Sequence, residues 1–144
     1  MSMVTLFPDP GVLPTLPPPN PGERILISVE GEPPRKDVSF SIRNPKHPRY
    51  ETFLRLRQEA TRVMNCRKWY DGPVRLVFTY YSERLERSLI DYLGGIMDTL
   101  DGSHGLTFTY LPIVFQDDCQ VCDAESRFVQ ACQTTYTVEV MSLE

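Results

Sequence analysis

The sequence predicts a mixed α/β (α+β) single domain: two main helices on a mixed sheet over residues 23–144, preceded by a proline-rich tail, 1–22. Three observations predict it. Apolar residues alternate with period two in several short stretches and recur at helical spacing in two longer ones. The segments interleave as β-β-α-β-α-β-β-β, an order that packs helices on a sheet. Seven of the thirteen prolines fall within residues 1–22, including Pro17-Pro18-Pro19, so that stretch builds no core of its own.

Arg24–Val29 is the first predicted strand, closed by the turn Gly31-Glu32-Pro33-Pro34. Val38–Ile42 alternates apolar and polar residues and is expected as a second strand. From Pro48 to about Arg67 the pattern is helical, with Tyr50, Phe53, Leu54, Ala60, Val63 and Met64 at core-facing spacing. Asp71-Gly72-Pro73 is a turn, and Val74–Tyr81 is a β-rich strand with Val74, Leu76, Phe78 and Tyr80 on one face. Ser88–Leu100 is the second helix, with Leu89, Leu93, Ile96, Met97 and Leu100 as its apolar stripe and Gly102 as its stop. Gly94-Gly95 weakens the middle of that helix by about 1 kcal/mol per glycine relative to alanine. Helix–helix contact, or close approach of another backbone or a nucleic-acid strand, would account for the pair. Phe108–Phe115, Val121–Phe128 and Thr134–Met141 are the remaining predicted strands.

The longest apolar runs are only a few residues, too short for a transmembrane helix, so no membrane partner is expected. The proline-rich N-terminus lacks a basic segment followed by an apolar one and does not fit a signal peptide. Four cysteines (Cys66, Cys119, Cys122 and Cys132) suit a reducing, cytoplasmic compartment. The net charge of −4 is unevenly spread. Residues 35–68 hold ten of the fifteen basic residues and three acids, a local +7 against −11 for the remainder. Such a block suits a phosphate-binding face beside a carboxylate site, or simply a solvated helix face.

Two stretches then resemble a known family. Ile90-Asp91-Tyr92-Leu93-Gly94-Gly95-Ile96-Met97-Asp98-Thr99-Leu100-Asp101-Gly102 is similar to the D-N-L-x-K-x-x-L-D-A-L-N-G helix of RusA-type Holliday-junction resolvases. Asp117-Asp118-Cys119-Gln120-Val121 resembles their D-D-x-Q-V segment, and Gly31-Glu32-Pro33-Pro34-Arg35-Lys36 their G-x-P-x-P-K opening. The resemblance covers roughly residues 24–141. It implies a Mg²⁺-dependent crossover junction endodeoxyribonuclease, a homodimer acting on four-way DNA junctions in recombination and repair. Carboxylates would hold the metal for phosphodiester hydrolysis.

Carried across residue by residue, the two family carboxylates that open the helix fall on Ser88 and Ile90, and the family lysine on Gly94. The third carboxylate is Asp118, with Asp117 beside it, and the family acid at Asp98 is retained. The expected metal ligands are Asp118 and Asp91, with Asp117 as a further catalytic candidate. Arg35, Lys36, Arg43, Lys46 and Arg49 are the expected DNA contacts. Asp91 has a second explanation, because Ser88-Leu89-Ile90-Asp91 has the form of a helix capping box. Glu83 and Glu86 lie upstream, in what reads as a solvated turn. Cys119-x-x-Cys122 with Cys66 and Cys132 could supply four zinc thiolates, yet its odd spacing places the two thiols on opposite strand faces. His47 and His104 are isolated in sequence. Three functions remain open: an active junction nuclease, an inactive relative that still binds branched DNA, and a protein-interaction module working through the proline-rich tail.

Overall fold

The computed structural model describes residues 14–37, 41–101 and 111–143. Its elements are β1 (Arg24–Glu30), α1 (Tyr50–Met64), β2 (Val74–Ser82), α2 (Leu89–Leu100), β3 (Val121–Gln130) and β4 (Thr135–Ser142). They form a small α+β domain whose four-stranded mixed sheet has the order β1-β4-β2-β3. β4 runs antiparallel to both β1 and β2, whereas β3 runs parallel to β2 because α2 carries the chain back between them.

One face of the sheet is apolar. Ile25, Ile27 and Val29, then Leu76, Phe78 and Tyr80, then Tyr136, Val138 and Val140 point to one side and are buried. Leu56, Ala60 and Met64 of α1 and Tyr92, Ile96 and Leu100 of α2 close over them in a single core. Each of the larger aliphatic or aromatic side chains contributes about 1.5–3 kcal/mol on burial. The opposite face carries ion pairs instead: Arg24 with Glu139, and Arg75 with Asp123 and Glu125. Period-two patterning thus separates a core face from a charged one.

Two expected strands do not appear among the described residues. Of 38–42, residues 38–40 lie outside the described residues, and Ser41 and Ile42 belong to a turn. Local side-chain bonds compete with the sheet there: Ser41 Oγ accepts from Arg43 N, and Asn44 Oδ1 accepts from Lys46 N. Ile42 is buried against Phe53 rather than paired in the sheet. Of 108–115, residues 108–110 lie outside the described residues. The backbone N–H groups of Ile113 and Val114 both donate to the Leu100 carbonyl, and Phe115 makes only an isolated bridge to Tyr70. The apolar run is core all the same, since Ile113, Val114 and Phe115 are buried. Pro112, with no N–H to give, stands at its start.

Of the proline-rich segment, residues 1–13 lie outside the described residues. Thr15 and Leu16 donate to the Cys66 carbonyl, and Leu16 accepts from Lys68 N, so the stretch just before β1 is tied to the end of α1. There Asn65 and Cys66 adopt positive φ, 51° and 68°, the left-handed turn that ends the helix. Gly102, expected to stop α2, is outside the described residues; α2 ends at Leu100 with Asp101 extended beyond it.

The glycine pair of α2 meets residues 34–36, not another helix. A Cβ on Gly95 would lie 2.4 Å from the carbonyl of Pro34 and 2.5 Å from the nitrogen of Arg35. Residues 34–36 therefore cross α2 in contact with it, and Lys36 N donates to the Asp91 carbonyl at 2.9 Å. The Lys36 side chain runs over Gly94.

Candidate metal centre

Asp98 and Asp101 stand three residues apart at the C-terminal end of α2, on one face of the last turn. Acids are disfavoured at that end of a helix, where the backbone carbonyls concentrate negative potential. Helix stability therefore gives no reason for them. Asp118 arrives from the far side of the 102–110 segment. It opens a single 3-10 turn, Asp118–Gln120, capped by Asp117, whose carboxylate accepts from Cys119 N at 3.0 Å.

Gln120 fixes that turn. Its Oε1 accepts from Gln116 N (2.8 Å) and Asp117 N (3.1 Å), while its Nε2 donates to the carbonyls of Tyr70 (2.8 Å) and Gly72 (2.9 Å). The amide thus ties the loop before β3 to the loop before β2 with both its acceptor and its donor. Held in this way, Asp118 meets α2: carboxylate oxygens of Asp98, Asp101 and Asp118 lie within 4.8 Å of one another. These three acids could hold a metal ion, and all-oxygen donors suit a hard divalent cation rather than a thiolate-seeking one.

Electrostatics at the cluster are unusual for carboxylates. The Asp101 side chain is only 4% exposed. Burial pushes its pKa up to about 7 against the pull of Arg43, with Asp98 and Asp118 adding repulsion. Asp98 is also raised, chiefly by burial, with Arg43 and Lys36 pulling it down and Asp118 pushing it up. Arg43 donates from Nη2 to Asp101 Oδ1 at 2.5 Å and from Nε to the Asp98 carbonyl at 2.9 Å. A fixed cation therefore already partly neutralises the site.

The expected site residues divide. Asp118 is in the cluster. Asp117 serves as the cap and is not one of the three. Asp91 sits seven residues before Asp98, roughly 10 Å along the helix axis. Its carboxylate pairs with Arg87 at 3.5 Å, and its N–H donates to Ser88 Oγ at 3.2 Å. Ser88 is the helix N-cap, and Ile90 is 78% exposed. Glu83 and Glu86 are exposed, as their turn suggests. Residue-by-residue transfer passed over Asp101 and the part of Asp98 as members of this cluster; the available signal was their i, i+3 spacing at the wrong end of a helix.

Most of the expected phosphate contacts are already engaged with protein groups. Arg35 reaches Asp37 at 3.4 Å, Arg43 holds Asp101, and Arg49 pairs with Glu32 at 3.2 Å. Lys36 lies on α2 toward Asp98, and Lys46 is exposed. Elsewhere in the basic block Arg57 is buried, donating to the carbonyls of Thr99 and Leu111. The +7 of residues 35–68 is thus not a bare cationic face.

His47 is not isolated. Its Nε2 lies 2.7 Å from Asp37 Oδ2, and its Nδ1 accepts from Arg49 N at 2.9 Å, so the ring fits with its proton on Nε2. Burial pushes the Asp37 carboxyl up, but the His47 hydrogen bond and the charges of Arg35 and Arg87 hold it below the usual value. His104 lies outside the described residues. The four cysteines are free and exposed, and among the described residues the three aspartates are the only group spaced for a metal. No helix among the described residues is long and apolar enough to cross a membrane. No family model matches this chain, and no curated protein matches it.

Proposed function

We propose that the chain is a divalent-metal-dependent endodeoxyribonuclease of the RusA type, acting as a pair of chains on branched DNA by phosphodiester hydrolysis. Asp98, Asp101 and Asp118 would hold the metal, Mg²⁺ in the family. The observation that carries this reading is the convergence of three carboxylates, from a helix end and a separate turn, within 4.8 Å. When bound, the ion would supply Lewis-acid stabilisation of phosphate charge and a more acidic water. The chain's own contribution is positional: Gln120 holds the turn that presents Asp118, and Lys36 and Arg43 place positive charge beside the acids. The two family carboxylate positions are Ser88 and Ile90 here, and the helix acids that meet Asp118 are Asp98 and Asp101, about three turns further along.

The test is cleavage of a synthetic four-way junction in Mg²⁺ or Mn²⁺. The wild-type chain is expected to cut, and Asp118→Asn to abolish cutting while leaving the fold intact. Junction binding should weaken steeply with salt if several basic residues reach phosphates.

A second reading has its own observation. Arg43 already occupies Asp101, which favours a relative that has lost metal-dependent cutting and whose remaining role would be to bind branched DNA. Junction binding by an intact chain that never cleaves, in either metal, would favour this inactive relative over the nuclease.

A further inference from the structure

β3 is an edge strand guarded only by charges on one face and an irregularity at its start. It runs ten residues, Val121–Gln130, with no proline, glycine or lysine in it. On one side it pairs with β2, and among the described residues no strand covers the other. Its single irregularity is at the start, where Val74 pairs with Val121 and Arg75 with Asp123, leaving Cys122 as the extra residue. From 123 to 130 the strand is regular. At the opposite edge of the sheet, by contrast, the Arg55 guanidinium takes the Glu30 carbonyl at the end of β1. Long, regular, uncovered edges present rows of unpaired N–H and C=O groups and are templates for another strand.

The side chains of β3 specify which strand. On the charged face Asp123, Glu125, Arg127 and Val129 alternate, with Val129 43% exposed and the Arg127 side chain 57% exposed. On the helix side stand Ala124, Ser126 and Phe128, the last packed edge-on to Tyr80 at 6.1 Å. We propose that the free edge of β3 pairs antiparallel with β3 of a second copy of this chain, about a two-fold axis through Ser126. In that register Glu125 of each copy faces Arg127 of the other, twice over. On the helix side the small Ala124 faces the large Phe128 of the second copy. An axis perpendicular to the sheet keeps both helix layers on the same side, so the two sheets become one of eight strands with continuous core and charged faces.

Neighbouring registers are excluded by the same residues. Moving the axis to Glu125 sets Glu125 against its own copy, and moving it to Arg127 sets Arg127 against its own copy. Like charges directly opposite are destabilising, whereas the Ser126 axis has none. An axis between residues would turn one helix layer to the wrong face. Within one copy Glu125 already accepts from Arg75 and Arg127, so pairing extends an existing line of alternating charge. The inference deepens the paired-chain part of the proposed function but rests on β3 alone and uses none of the three carboxylates.

The test is sedimentation velocity of the full chain over a micromolar concentration series, beside the same series for charge variants. The expected result is a reversible species of twice the 16.6 kDa chain mass. Arg127→Glu should weaken association by ~10-fold or more, and Glu125→Arg likewise, since each replaces two attractions with two repulsions. The combined Glu125→Arg/Arg127→Glu chain should recover association, which also shows that the charge reversals leave the fold intact. Hydrogen exchange supplies a second readout: on association, the amides of residues 123–130 that point away from β2 should slow. A chain of single mass throughout overturns both the pairing and the paired-chain part of the function. A dimer indifferent to Arg127→Glu, or a combined variant that fails to recover, overturns the β3 interface while leaving both the dimer and the metal reading in place.

Discussion

The guanidinium of Arg43 lies 2.5 Å from the buried carboxylate of Asp101, a pairing made across 58 residues of chain. Removing one partner of a buried pair costs more than the pair itself contributes, because the other is left without compensation. Arg43→Gln should therefore destabilise the fold by about 3 kcal/mol at pH 8. Asp101→Asn added to it should recover most of that loss. A urea-denaturation double-mutant cycle measures the coupling, and additive effects would mean that the two side chains do not hold each other.

A pH dependence follows from Asp101. Its pKa in the fold is raised to about 7 from an ordinary 3.8, so the folded chain holds this proton more tightly than the unfolded one. The resulting stability is complete below about pH 4 and is lost as pH rises through about 7. Asp37 and Glu125 act in the opposite sense, being held low, so the informative quantity is wild type minus Asp101→Asn. That difference should fall by a few kcal/mol between pH 4 and 7 and level off above, at ~1.4 kcal/mol for each pH unit crossed. Mn²⁺ should raise the wild-type melting temperature at pH 8 far more than at pH 5.5, because metal ligands must be deprotonated. Asp118→Asn should erase the metal effect at both pH values.

The sheet was legible in the letters where packing alone decides it. Val74, Leu76, Phe78 and Tyr80 alternate because β2 is an inner strand with one face under the helices. Ser41 and Ile42 alternate too, yet Ser41 and Asn44 bond locally and turn the chain away from the sheet. The site was half legible. Asp118 is marked by the motif around it, but that Asp101 meets it depends on where α2 ends and how the 3-10 turn sits, distances no spacing encodes. Arg43 reads as a phosphate contact from its basic surroundings, and only the folded chain brings Asp101 to it.

Gln120 is the residue that converts motif into geometry. It makes four hydrogen bonds, two as acceptor and two as donor, and only an amide can do both. Gln120→Glu keeps shape and acceptor but loses both donors and turns a charge toward the carbonyls of Tyr70 and Gly72. It should destabilise by about 2 kcal/mol, the scale of leaving buried acceptors unmet. Mn²⁺ affinity should fall with it, even though Gln120 touches none of the three carboxylates. Unchanged stability and metal affinity would show that the tie does not place Asp118.

Gly94 and Gly95 are adjacent in α2, yet alanine at each should act in opposite directions. Helix propensity favours alanine by about 1 kcal/mol at either position. At Gly94 the new methyl would meet the Lys36 side chain, with Cδ at 3.0 Å and Cβ at 3.2 Å, a flexible neighbour that can shift by a few tenths of an ångström. Gly94→Ala should be neutral or slightly stabilising. At Gly95 the methyl would meet the backbone of Pro34 and Arg35 at 2.4–2.5 Å. Backbone cannot yield without lifting residues 34–36 off the helix, breaking the Lys36 N–H bond to Asp91 and withdrawing the Lys36 charge from Asp98. Gly95→Ala should therefore cost about 2–3 kcal/mol despite its better propensity, in the range of overpacked cores. Thermal unfolding of the two variants side by side decides it, and equal melting temperatures would mean that the 34–36 segment does not rest on α2.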